Sequence, residues 1–289
     1  MKIGITGATG FIAGNLIPRL SDRGHECVAF SRTAGRAVPG CRETRALVFG
    51  TAPDLAGLDA IVNLAGESIL GRWTAAKKQR IRDSRVGLTR QLVDAMSASS
   101  VRVLISTSAS GLYGDRGDEI LTEASTPGRG FLAEVCREWE AEALRARAFG
   151  ARVAIPRIGF VVAPRGGALA QLRPLFRLGL GGRLGAGSQW MPWVHVSDVT
   201  GLIVHLLDHE ALEGPFHAAA PNPVRNADFT RALSAAVHRP AFLAVPAFAL
   251  RLTLGELAAV ALDSTRLLPE RTLSGGYAFE FSQISDALR

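Results

Sequence analysis

Three small residues at fixed spacing, Gly7, Gly10 and Ala13, follow the apolar tetrad Ile3-Gly4-Ile5-Thr6 and precede an amphipathic run, Phe11, Ile12, Leu16, Ile17 and Leu20. Chemistry at such a turn falls to the backbone. Glycine adopts turn angles closed to other residues and lets main chain approach a ligand, and the amides that open the following helix favour an anion. A strand, a G-x-x-G-x-x-(G/A) turn and a helix in that order hold the pyrophosphate of a dinucleotide.

The second candidate group is Ser31-Arg32, at the end of the apolar run Glu26-Cys27-Val28-Ala29-Phe30. A site selective for NAD carries an acid there, for the ribose hydroxyls. Arg32 offers a planar cation and Ser31 a hydroxyl, which favours the 2′-phosphate of NADP; an arginine merely exposed after a strand is the alternative.

These groups need strands to carry them. Residues 46–49 and 60–66 are near-continuous apolar runs, as in buried parallel strands, and 101–106 and 152–157 continue the series. Helices are expected at 77–98, with Ile81, Leu88, Leu92 and Ala95 on one face, and around Leu132, Val135, Cys136, Trp139 and Ala143. The fold class is therefore α/β, a Rossmann-type doubly wound parallel sheet with a smaller α+β C-terminal substrate lobe. Residues 1–160 form the NADP-binding domain, 161–289 are mainly substrate lobe, and 190–210 return to the first domain.

Beyond residue 160 the sequence changes character. Glycines at 166, 167, 179, 181, 182, 185 and 187 imply a mobile loop around a short helix at 168–178, and 190–196 reads as a strand. Ser197 or Asp198 is expected to cap a helix at 199–207, and Asn226 or Asp228 one at 229–237. The last fifty residues hold two or more helices and an edge strand near 277–281.

Bulk composition excludes several functions. The 289 residues carry a net charge of +7, yet no run of five or six like charges marks a nucleic-acid site, and no apolar run approaches the roughly 20 residues that span a bilayer. No charged-then-apolar leader opens the chain, so a cytoplasmic location is expected. Cys27, Cys41 and Cys136 lack disulfide or zinc spacing, and no metal site is expected. Lysine occurs only at 2, 77 and 78.

The blocks Gly7-x-x-Gly10, Asn63-Leu64-Ala65-Gly66-Glu67-Ser68, Arg72-Trp73-Thr74, Asp83-Ser84-Arg85, Leu112-Tyr113-Gly114, Gly166-Gly167-Ala168-Leu169, Trp193-Val194-His195 and Ala220-Pro221-Asn222-Pro223 together resemble an atypical extended short-chain dehydrogenase/reductase. The resemblance is to the NAD-dependent epimerase or sugar nucleotide epimerase family with an additional C-terminal region, here 240–289. It implies cofactor contacts from Gly7, Thr9, Gly10, Phe11 and Ile12 to the pyrophosphate, from Ser31 and Arg32 to the adenosine phosphate, and from Leu64, Ala65 and Gly66 along the ribose. Arg85 stands where extended enzymes place an Asn facing the cofactor, and Val161 where main chain passes the nicotinamide amide. The implied substrate pocket draws on Glu67, Ser68, Trp73, Glu134, Gln189, Trp193 and Asn222.

The usual catalytic pair of that superfamily, a Tyr followed four residues later by a Lys, is missing. Four residues beyond Tyr113 and Tyr277 stand Gly117 and Phe281, and alignment on Glu140 puts Leu132 and Cys136 in the Tyr and Lys places. No catalytic residue is assigned; Ser108, Tyr113 and Glu67 are the candidates, and a glutamate would need a raised pKa to donate a proton. The expectation is hydride transfer with NADP(H) on a small-molecule carbonyl or nucleotide-sugar-like substrate. Nucleotide-sugar epimerisation and non-catalytic NADP(H) sensing are the alternatives. The resemblance also implies a homodimer through helices 77–98 and 131–149.

Overall fold

A computed structural model describes residues 1–33, 35–164, 166–167 and 169–289. Its centre is a parallel sheet whose inner strands are buried on both faces, which is why those strands are largely apolar. Strand β1 (Lys2–Thr6) lies in the middle, flanked on one side by β2 (Glu26–Ser31) and β3 (Glu43–Ala46). On the other side come β4 (Ala60–Asn63), β5 (Val103–Ser106), the strand Arg152–Ile158 and the strand Gly214–Ala218. The strand order reverses between β1 and β4, which run parallel, so their carboxyl ends flank the crevice where open α/β sheets hold ligands.

Helix α1 (Phe11–Asp22) packs against α6 (Val196–Asp208) on one face, with Leu16, Ile17, Leu20, Val199 and Ile203 closing a single core on Ile3 and Ile5. On the other face, α3 (Leu88–Ser97) and α4 (Phe131–Leu144) enclose Leu92, Met96 and Ala143 against Ile61, Leu104 and Val153. Helix α2 (Ala75–Arg82) begins where the Thr74 hydroxyl accepts from the Lys77 amide at 3.2 Å, and it joins α3 through a π-turn at Asp83–Gly87. The expected helix 77–98 is thus one helix with an extra residue inserted in its middle.

Several expected elements differ. The strand expected at 46–49 ends at Ala46, because β3 is an edge and Phe49 leaves it to lie against Gly87 in the π-turn. Pro192, which has no amide hydrogen, splits the strand expected at 190–196. Trp190–Met191 pairs antiparallel with Val224–Arg225, and Trp193–His195 pairs parallel with Phe160–Val162. Gly214–Ala218 is a sheet strand that the sequence reading left unassigned. The helix expected from 168 appears as α5 (Leu169–Arg177), Ala168 itself lying outside the described residues.

Segment 277–281 is not a strand. Its backbone donors go to a side chain, since the Asp198 carboxylate accepts from the Glu280 amide at 2.7 Å, the Phe281 amide at 3.1 Å and the Tyr277 hydroxyl at 3.2 Å. Asp198 therefore anchors the C-terminal segment, and the cap of α6 is the His195 ring, whose Nδ1 accepts from the Ser197 amide. Asn226 likewise does not cap α7 (Asn226–Ala236); its Oδ1 accepts from the Leu184 amide at 2.8 Å. Neither does Asp228, which lies in the first turn of α7 and pairs with Arg231. Among the described residues no helix is long and apolar enough to cross a membrane.

Candidate functional site

The glycine turn is shaped by what lies against it. Gly7 has φ +63°, and a Cβ there would stand 2.7 Å from the Leu64 carbonyl oxygen, so the loops after β1 and β4 touch only because residue 7 has no side chain. Thr6 ties the same two strand ends. Its hydroxyl donates to Asn63 Oδ1 at 2.7 Å and accepts from the amides of Leu64 and Ala65, both at 3.1 Å. Asn63 passes the connection on to Thr89 and Ser106, so a buried polar hub fixes β1, β4, β5 and α3 at their ligand-facing ends. The sequence reading missed this hub, although Thr6 and Asn63 stand beside the residues it named.

Helix α1 starts at Gly10 with no side-chain cap, which leaves its first amides for a ligand anion. Thr9 is exposed beside them and Phe11 and Ile12 are half-buried. The Phe11 ring is covered by Gly166, where a Cβ would fall 2.3 Å from the ring, and by Gly167, which also approaches the Val161 carbonyl. The expected cofactor residues Gly7, Thr9, Gly10, Phe11, Ile12, Leu64, Ala65, Gly66 and Val161 therefore lie together at the ends of β1 and β4, with Gly166 and Gly167 against the Phe11 ring. Ser31 is half-buried, its hydroxyl accepting from the Thr33 amide, and Arg32 is exposed at the end of β2. The cradle fits a dinucleotide by its missing Cβ atoms and uncapped amides, and Arg32 fits a 2′-phosphate.

Farther along the crevice lies Arg85, on the π-turn. One nitrogen, Nη1, donates to the Glu67 carbonyl at 3.0 Å, and the guanidinium carbon lies 5.6 Å from the centre of the Trp139 ring. Burial pulls this guanidinium below its usual range, the nearby Cys136 and Glu67 opposing. Its neighbours Arg80 and Arg82 pair with Glu67 and Glu138; among the described residues Arg85 pairs with no carboxylate. Cys136 is buried next to Ser108, and burial pushes its thiol up to about 11. The aligned Lys place thus holds an inert thiol with a guanidinium beside it, delivered from another element. Leu132, in the Tyr place, packs against Gly111.

Two of the three catalytic candidates stand differently from expectation. Tyr113 is fully buried, with its hydroxyl 2.7 Å from Arg157 Nη1 and 2.6 Å from His217 Nε2, and burial pushes it up to about 12. Arg157 makes a two-pronged pair with Glu140 at 2.8 and 2.9 Å, so Tyr113 belongs to an internal brace between the sheet and α4. Glu67 accepts from Lys77 Nζ at 2.8 Å, and Lys77, then Arg80 and Arg32, hold its carboxyl below the usual range. It is a charged acceptor, not the proton donor that a raised pKa would make. Ser108 Oγ is buried without a hydrogen-bond partner among the described residues.

The expected substrate residues divide into two groups. Glu67, Ser68 and Trp73 lie with Arg85 on the loop after β4 and its helix; the Ser68 hydroxyl accepts from Leu70, and Trp73 stacks edge-on against Phe131. Leu254 and Leu257, from the C-terminal region, join Trp73, Ile81, Phe131 and Leu132 in one apolar cluster. Lys78 holds Glu256 at 2.6 Å across the same seam. The second group is scaffold. Gln189 donates to the carbonyls of Leu184 and Ala261, and Trp193 is fully buried, its indole donating to the Asn222 carbonyl. Asn222 itself is exposed and bonded to Ser282, and exposed Glu134 faces Arg82 at 4.0 Å.

Comparison with known proteins agrees with this geometry. Residues 3–218 match the model of the NAD dependent epimerase/dehydratase family, and 245–289 match a domain of unknown function, DUF1731. The chain is 38% identical to the chloroplastic epimerase family protein SDR39U1 homolog of Arabidopsis thaliana, covering all of this chain and 86% of the relative. It is 34% identical to epimerase family protein YfhF of Bacillus subtilis, covering 100% and 97%. The crystal structure of human epimerase family protein SDR39U1 (isoform 2) with NADPH superimposes with a TM-score of 0.90 at 30% identity, covering 100% and 98%. With residues 3–218 matched by the family model and a relative 38% identical over the whole of this chain, the chain belongs to the NAD dependent epimerase/dehydratase family.

Proposed function

We propose that this protein is an NADP(H)-dependent oxidoreductase that interconverts a carbonyl and an alcohol without the Tyr/Lys pair. The observation that carries the reading is Arg85, a half-buried cation beside Cys136 that meets no carboxylate among the described residues and stands against Gly66, next to the glycine cradle. When bound, the nicotinamide supplies or accepts the hydride. The amides that open α1 hold the pyrophosphate, Arg32 and Ser31 the 2′-phosphate, and the Leu64-Ala65-Gly66 main chain the ribose. Human SDR39U1, crystallised with NADPH, supports the choice of cofactor.

Reduction adds a hydride to the carbonyl carbon and a proton to its oxygen. Arg85, half-buried, stabilises the negative charge that develops on oxygen. Tyr113 is sealed away and Glu67 is ionised, so the proton comes from solvent. A second reading, NADP(H) sensing without turnover, is favoured by Leu132 and Cys136 in the Tyr and Lys places.

Spectrophotometric assay of NADPH oxidation against aldehydes, ketones, oxo acids and nucleotide sugars tests the two. Substrate-dependent oxidation lost in Arg85→Met supports the enzyme. Stoichiometric NADPH binding with no oxidation across the panel supports the sensor. A dimer through α3 and α4 forms part of the proposal and is read by light scattering.

A further inference from the structure

Arg85 is held from one side only. Nη1 donates to the carbonyls of Glu67 and Ile81 and to Ser84 Oγ, whereas Nη2 and Nε donate to nothing among the described residues and are not sealed from solvent. The structure makes room for this cation. The π-turn, a helix distortion that often marks functional sites, carries it, and Gly66 leaves the space it fills, since a Cβ there would stand 3.1 Å from the guanidinium. Two further donors nearby, Ser108 Oγ and Trp139 Nε1, are buried and have no hydrogen-bond partner among the described residues.

We propose that Arg85 receives a carboxylate of the substrate, so that the carbonyl compound is an oxo acid with an apolar body. This rests on the oxidoreductase reading and names its substrate class. Nη2 and Nε carry three hydrogens between them; two match one carboxylate in two-pronged fashion, and the third, on Nη2, is left for the carbonyl oxygen on which charge develops. A diphosphate would call on further cations, and Lys77 and Arg80 on the helix before the π-turn already face Glu67 at 2.8 and 4.0 Å. The apolar body is matched by Ile69, Phe131, Leu132 and Leu254, half-buried around the same crevice. The same chemistry could instead serve a phosphate or ribose of the cofactor, and the experiment separates the two.

The NADP-loaded protein is titrated calorimetrically with phenylpyruvate, benzoylformate and 4-methyl-2-oxovalerate, each beside its methyl ester, and NADPH is titrated separately. The acids are expected to bind at least about tenfold more tightly than their esters. Arg85→Met should erase that difference, Arg85→Lys should keep part of it, and both should hold NADPH within about threefold of wild type. A loss of NADPH affinity of about tenfold or more in Arg85→Met, with no preference for acids in the wild type, overturns the proposal and gives Arg85 to the cofactor. Failure of all three acids to bind also overturns it. If NADPH does not bind the wild type, the cofactor reading fails, and the acid-over-ester comparison on the free protein still decides the role of Arg85.

Discussion

The guanidinium of Arg85 lies 3.1 Å from the point where a side chain on Gly66 would begin. Neither residue explains the other alone. A helix distortion brings the cation to the end of β4, and a missing methyl group lets it stay there with two donors open to the crevice.

Gly66→Ala is therefore a subtle probe. The residue does not need a glycine-only backbone angle, so folding stability should change by less than about 1 kcal/mol. The added methyl pushes the guanidinium by a few tenths of an ångström, and acid binding should weaken by about tenfold, since small displacements at a binding centre are costly. Thermal unfolding with calorimetry reads both; unchanged acid affinity would sink the fit between these residues.

Tyr113→Phe separates structure from chemistry. The hydroxyl lost is the one that meets Arg157 and His217 in the interior, so stability should fall by about 1–3 kcal/mol, measured by urea unfolding. Turnover per folded molecule should be unchanged. A fall in turnover of about a hundredfold would return Tyr113 to the reacting centre.

The C-terminal region carries a pH dependence of its own. Burial, with Asp115 adding repulsion, raises the Asp263 carboxyl from 3.8 to about 6. A raised carboxylate pKa means the folded state binds the proton more tightly, so this group's contribution falls as pH rises from about 4 to about 6 and is flat beyond. Asp263→Asn, which does not titrate, should gain melting temperature relative to wild type across that window and hold the gain at pH 7. A melting-temperature difference independent of pH would rule the assignment out.

What the sequence made legible was local. The glycine turn, the end of β2 and the loop after β4 could be read because each is a short stretch whose chemistry sits in consecutive residues. What it hid depends on register. Cys136 could be aligned to the missing lysine, but only the packing of α4 against the π-turn shows that Arg85 occupies its surroundings. Asp198 carries the signature of a helix cap, yet it is spent on backbone amides 82 and 83 residues away. Tyr113 sits in a Tyr-Gly turn that suggests chemistry, and the buried Arg157–Glu140 pair beneath it decides otherwise. Gly166 and Gly167 were visible as glycines; their use, covering Phe11, was not.

The central claim is that the crevice binds NADP(H) through the glycine turn and Arg32. Calorimetric titration of cofactor-stripped protein with NADPH and NADH, repeated on Arg32→Ala, tests it most directly. NADPH should bind at least about tenfold more tightly than NADH, and the preference should collapse in the variant. No binding of either cofactor, or a preference for NADPH that survives in Arg32→Ala, would contradict the account.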